Sequence, residues 1–177
     1  RMLNEELNHR VKNVLAIIKS LVGNPKQQGR TLEDYITSLK GRIQALSFAH
    51  DQIIRGDGGG ALKDLLDAEL TPHSAGEGTI SLDGPHIILD SRAFSVMALV
   101  LHELATNAAK YGALAHSGGQ LSVSWKLNEV GDCALEWREV LRTPMIAPSR
   151  TGFGTALINR SIPYDLGGKS TTTYLLD

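Results

Sequence analysis

Three short stretches of the chain carry residue types suited to handling charged groups. The first is Leu101-His102-Glu103-Leu104-Ala105-Thr106-Asn107-Ala108-Ala109-Lys110-Tyr111. Read as a helix, it places Phe94, Met97, Leu101, Leu104 and Ala108 on one stripe, with His102, Glu103, Thr106, Asn107 and Lys110 on the opposite arc. Amide and carboxylate oxygens suit a hard cation such as Mg2+, and a lysine suits a phosphate. The arc is either the wall of a polar pocket or a solvated helix face, and the helix alone leaves both open. The second stretch is Cys133, Leu135, Trp137, Glu139, where alternation puts a carboxylate on the same face as a tryptophan. A carboxylate so placed needs a donor: a ligand amino group, a backbone pair or Arg138. The third is Gly152-Phe153-Gly154 before a helix, where backbone N–H groups could approach a phosphate.

A fourth candidate, His9, depends on the element that carries it. Apolar residues at 3, 7, 11, 14, 18 and 21 predict a helix with one narrow seam, ended by Gly23-Asn24-Pro25. At ~100° per residue His9 lies about 150° from the centre of that seam. Asn13 shares its face one turn on, and Arg10 and Lys12 flank it. A second helix is predicted to start at Thr31 as N-cap with Asp34 completing a capping box. Its seam would be Leu32, Ile36, Leu39, Ile43, Leu46, His50 and Ile53, which makes His50 a core-edge residue. Together, residues 1–55 read as an antiparallel helical hairpin.

Residues 56–60, Gly56-Asp57-Gly58-Gly59-Gly60, are too glycine-rich for helix or strand and read as a linker. Beyond it, residues 61–177 read as a second domain. A short helix over 61–70 buries Leu62, Leu65, Leu66 and Leu70. Strands are predicted over 79–82 and 86–89 around an Asp83-Gly84-Pro85 turn, and Asp90 or Ser91 caps a helix reaching Tyr111. Leu121, Val123, Trp125 and Leu127 alternate, as do Cys133, Leu135 and Trp137, giving two antiparallel strands joined through 128–132. A helix over 154–164 and a last strand over 170–176 complete the pattern. Helices on one face of a mixed sheet make a two-layer α/β sandwich, so the fold class is α+β.

Composition narrows the functions. The chain has 177 residues, 18 basic and 19 acidic side chains, and a net charge of −1, which argues against a nucleic-acid binder. That balance conceals a split, because residues 1–55 hold 9 Lys/Arg against 5 Asp/Glu and residues 56–177 hold 9 against 14. The longest apolar run of the first helix, Val14-Leu15-Ala16-Ile17-Ile18, is far short of a membrane span. With no signal peptide and one cysteine, a reducing, cytoplasmic setting is expected, with Cys133 a buried small hydrophobe. Gly168-Lys169-Ser170 imitates the end of a phosphate-binding P-loop, but the required earlier glycine position holds Pro163. The first and last residues suggest a piece of a longer chain.

In their order, these motifs resemble the core of a sensor histidine kinase of the HWE subgroup. The resemblance rests on His9-Arg10-Val11-Lys12-Asn13, on the run from His102 through Lys110-Tyr111-Gly112-Ala113-Leu114, and on Trp137-Arg138-Glu139. It implies a dimerisation and phosphotransfer hairpin followed by the ATP-binding fold shared with gyrase-type ATPases. His9 would be the phosphoacceptor, with Asn13 beside it and Glu103 a candidate for its proton. Asn107 would coordinate Mg2+, and His102, Lys110, Tyr111 and Trp137 would lie around ATP. Glu139 would read the adenine amine, and Gly152, Phe153 and Gly154 would belong to a lid over the phosphates. The implied partners are a response regulator receiver domain, an upstream sensor domain, and a second copy of the chain paired through the hairpin. The chain departs from the family where Gly-Gly-Pro usually follows the glutamate, since Val140-Leu141-Arg142-Thr143-Pro144 stands there. That departure motivates an alternative, a non-catalytic phosphotransfer module with a degenerate ATP-binding domain. A serine kinase or ATPase on the same nucleotide fold would leave the hairpin unexplained.

Overall fold

The structure, a computed structural model, describes Lys12, Lys19 and residues 31–74, 79–142, 158–159, 162–163 and 166–173. Lys12 and Lys19 are helical and exposed; the rest of the first predicted helix, including His9 and Asn13, lies outside the described residues. Helix α1 (Leu32–Arg55) begins as its sequence dictates. The Asp34 amide donates to Thr31 Oγ1 at 3.2 Å, and the Asp34 carboxylate accepts from the Thr31 hydroxyl at 2.8 Å. This is a capping box built with aspartate. The face α1 buries differs from its heptad seam. Leu32, Ile36, Ile43 and His50 of that seam are exposed, whereas Arg42, Ala45 and Ala49 are buried. Alanines at 45 and 49 let this end of the helix approach its neighbours closely, and of the seam Ile53 packs against the core.

The chain forms two compact units, Arg1–Gln44 and Ala45–Asp177. The last turns of α1 therefore belong with the second unit, where Phe48, Ala49 and Ile53 join its core. After α1, the glycine-rich stretch contains a strand. β1 (Gly59–Ala61) pairs antiparallel with β3 (Ile88–Asp90), contrary to the expected linker. The glycines serve close approach here. A Cβ on Gly60 would stand 2.5 Å from two atoms of the Phe94 ring, and one on Gly59 would stand 2.5 Å from the Leu89 carbonyl oxygen.

Helix α2 (Leu62–Leu70) buries the four leucines expected of it. β2 (Thr79–Asp83) does not turn back on β3; it pairs parallel with β4 (Gln120–Leu127), from Thr79 opposite Gln120 to Asp83 opposite Ser124. β5 (Cys133–Val140) closes the order β2-β4-β5 antiparallel to β4. The inward residues Leu121, Val123 and Trp125 share one core with the leucines of α2 and with Phe94, Leu101 and Ala105 of helix α3 (Ser91–Lys110). Asp90 caps α3, its carboxylate accepting from the Ala93 amide at 2.8 Å. This is the expected α+β architecture, with helices over one face of a mixed sheet.

Two expectations are corrected. Cys133 is exposed, because β5 enters the sheet at its hairpin end before alternation brings Leu135 inward. What burial its thiol does have pushes its pKa above 9.0. Residues 170–173 form no strand, since this polar run is exposed throughout and presents no apolar face to a sheet; residues 174–177 lie outside the described residues. Glu103 is buried, which excludes a solvated helix face at that position. Within residues 154–164, Ile158, Asn159, Ile162 and Pro163 are helical, as expected.

Two outcomes follow. Gly60→Ala should lower stability by about 1–3 kcal/mol, read as a lower urea midpoint, because the new methyl overpacks Phe94. Alkylation of Cys133 by iodoacetamide should be slower at pH 7.5 than that of free cysteine, and should rise steeply only above pH 9. A raised thiol pKa leaves less thiolate at neutral pH.

Candidate functional site

The polar residues collect where α3 runs out of apolar surroundings. Through its middle, α3 is buried nearly all round, by Val96, Ala98, Leu99, Val100, Leu101 and Ala105. Towards its end Thr106 and Asn107 are half-buried, and Lys110 and Tyr111 are exposed. The helix ends on its own carbonyls, with the Asn107 oxygen accepting from Tyr111 at 2.8 Å and from Gly112 at 3.2 Å. A short 3₁₀ turn, Ala113–Ala115, follows. His116 Nδ1 lies 3.0 Å from the Gly112 carbonyl oxygen and donates to it, which places a ring proton on Nδ1.

Glu139 reaches this corner from β5. Its Oε2 accepts from the Ala113 amide at 2.8 Å, and its Oε1 accepts from the Trp137 indole N–H at 2.9 Å. Alternation along the strand puts Trp137 and Glu139 on one face, as the sequence required, and Trp137 packs against the core. Gly112 makes the approach possible, since a Cβ there would overlap Glu139 Oε2. The donors to Glu139 are thus a backbone amide and the neighbouring indole. The Ala113 amide and Gly112 are the site elements that sequence reading missed. Both stand in the run that follows His102, but nothing there marked them as contacts of Glu139.

The remaining candidates are placed as follows. His102 Nδ1 lies 3.0 Å from Glu69 Oε2 of α2, with both side chains about four-fifths buried. It therefore ties the two helices together. Glu103 is 6% exposed, and no buried side-chain polar atom among the described residues lacks a hydrogen-bond partner. The structure brings Trp137 and Glu139 to the corner formed by Tyr111, Gly112 and Ala113, which follow Asn107 within two turns along the chain. Gly152, Phe153 and Gly154 lie outside the described residues. An open depression of about 450 Å3 lined by Asp83, Lys126 and Glu136 contains none of these candidates.

The donor set decides what could bind. Among the described residues no group of three or more His, Cys, Asp or Glu side chains could cage a metal. A single amide oxygen at Asn107 suits Mg2+ that keeps its waters and takes its other ligands from phosphates. A carboxylate has about four lone-pair sites, so Glu139 keeps acceptor capacity beyond its two internal bonds. It fits a ligand amino group. Among the described residues no helix is long and apolar enough to cross a membrane.

Comparison with known proteins bears on the family and the fold. Residues 6–86 match the family model described as HWE histidine kinase. A blue-light-activated histidine kinase of Rhizobium johnstonii is 36% identical over 166 residues, covering 93% of this chain and 47% of that protein. One from Brucella ovis is 30% identical over 173 residues, covering 95% of this chain and 35% of that protein. The chain thus spans less than half the length of these relatives. Two solved structures share the fold at 14% identity. The histidine kinase domain of a blue-light-activated histidine kinase from Erythrobacter litoralis aligns with a TM-score of 0.58 over 84% of this chain and 73% of that one. A longer structure of the Erythrobacter litoralis kinase aligns at 0.62 over 89% of this chain and 51% of that one.

Glu139→Ala should cost about 1–3 kcal/mol, because the Ala113 amide and the half-buried indole lose their acceptor together. Glu139→Gln keeps an acceptor oxygen and should cost less. Chemical denaturation of both variants measures the difference.

Proposed function

The chain belongs to the HWE histidine kinases, and from that premise we propose that it is an ATP-dependent protein-histidine kinase core. In this reading it phosphorylates its own His9 and passes the phosphate to an aspartate of a response regulator. The observation that carries the proposal is the meeting of two signature motifs: Glu139 lies against the corner that ends the helix bearing Asn107 and Lys110.

Each residue then has a task. Glu139 accepts from the exocyclic amine of adenine with its remaining lone pairs. Asn107 supplies an amide oxygen to Mg2+, which neutralises phosphate charge when bound. Lys110 and Tyr111, exposed at the helix end, would lie towards the phosphates, and Gly152, Phe153 and Gly154 would belong to a lid over them. His102 acts from behind, by fixing α3 to α2 through Glu69. The neutral imidazole of His9, steadied by Asn13, attacks the γ-phosphorus as the bond to the ADP oxygen breaks. The surplus ring proton goes to Glu103 or to water, and the burial of Glu103 favours water. Positioning and charge neutralisation supply most of the rate.

Residues 1–55 would form the hairpin that also pairs two copies, and residues 61–177 the ATP-binding domain. The basic hairpin suits a receiver domain whose phosphoacceptor site is acidic. A sensor domain would occupy part of the length by which the relatives exceed this chain, and the assembly would work in the cytoplasm. One observation favours a second reading, a phosphotransfer module with a degenerate nucleotide site. β5 continues through Val140, paired with Gln120, where the family carries glycines.

Incubation with radiolabelled ATP and Mg2+ should give an acid-labile label on the wild-type chain and none on His9→Ala. Label retained by that variant removes His9 from the mechanism. Calorimetric titration with a non-hydrolysable ATP analogue separates the two readings. Binding that weakens at least tenfold in Asn107→Ala supports the kinase, and no binding by the wild-type chain supports the degenerate site.

A further inference from the structure

We propose that Trp137 is a positioning residue for base recognition, one that acts through Glu139 and does not itself touch the nucleotide. The proposal rests on the reading that the chain binds ATP with Glu139 at the adenine amine.

A free glutamate side chain samples several rotamers, and a base-reading carboxylate must hold one of them. Here two donors from different elements fix the group, the indole N–H on Oε1 at 2.9 Å and the Ala113 amide on Oε2 at 2.8 Å. Two anchored oxygens define the plane of the carboxylate, so its remaining lone pairs point in set directions. The indole is itself held, because Trp137 packs against the core while its single N–H is spent on Glu139. It has no second N–H to offer a ligand.

Gly112 is the third part of the clasp. Its backbone, at φ −106° and ψ −151°, is extended, so glycine is not needed for conformation. It is needed for room, since a Cβ at 112 would overlap Glu139 Oε2. The glycine therefore marks the place reserved for the carboxylate. Gly112→Ala should displace Glu139, and its methyl would also press on the backbone of α3, 2.9 Å from the Ala108 Cα.

The test compares ATP with purine riboside triphosphate, which lacks the 6-amino group, in calorimetric titrations of the full 177-residue chain. The wild type should prefer ATP by about tenfold, the scale of a hydrogen bond to a charged acceptor. Trp137→Phe keeps an aromatic ring, smaller than the indole, and removes the N–H. It should weaken ATP by about that factor, leave the analogue unchanged, and so abolish the preference, with a melting temperature close to wild type. Gly112→Ala should also abolish the preference, with a lower melting temperature because its methyl presses on the Ala108 backbone as well, and it carries the readout if Trp137→Phe does not fold. Equal weakening of both nucleotides, or an intact preference, overturns the positioning role. If the wild-type chain binds neither nucleotide, the kinase reading fails, and the positioning role is then decided by the Ala113 amide. Faster hydrogen exchange of that amide in Trp137→Phe upholds it, and unchanged exchange overturns it.

Discussion

A carboxylate drawn away from water must find donors, and Glu139 finds one on each side of a strand-to-helix junction. The Ala113 amide and the Trp137 indole bind it from different elements, so the end of α3 and the far half of β5 are held in one register. Charge-assisted bonds of this kind are worth more than neutral ones and fail together when the shared acceptor goes. Other features of the corner answer to the same contact. Gly112 leaves space for it, the 3₁₀ turn starts from it, and His116 secures the carbonyl of the residue beside it.

The rest of the second unit makes that corner rigid enough to matter. α3 is wrapped by apolar neighbours for most of its length, so its polar residues sit at the end of a fixed rod rather than on a mobile face. The His102–Glu69 pair adds a link to α2, and the Asp90 cap holds the other end. In the sheet, Leu121, Val123 and Trp125 anchor β4 from within, and β5 hangs from β4 along its whole length. Position at the site is thus inherited from packing some distance away.

What the sequence disclosed was the local part of this design. Thr31 and Asp34 announced a capping box, Asp90 a helix start, and four leucines the buried side of α2, because each signal lies within a turn or two of its partner. The pairing of faces that puts Glu139 beside Trp137 was equally legible from alternation. Features set at a distance were not. The strand at Gly59–Ala61 depends on a phenyl ring and a carbonyl far along the chain, and nothing in a run of glycines names them. The heptad seam of α1 is exposed at Leu32, Ile36, Ile43 and His50 because a repeat marks a face without naming what covers it. Helical phase put Glu103 on a polar arc and left open whether that arc met solvent or a pocket, because phase gives direction but not what stands in that direction.

The parallel pairing of β2 with β4 bears on how the chain comes to its structure. Thr79 finds Gln120 only after the whole of α3 has been made and laid across the core, and closing so long a loop costs entropy before any contact rewards it. The β4–β5 hairpin, joined by the short 128–132 connection, carries no such delay. On a ribosome β2 would therefore emerge first and pair late, with Ile80 and Leu82 uncovered in the interval.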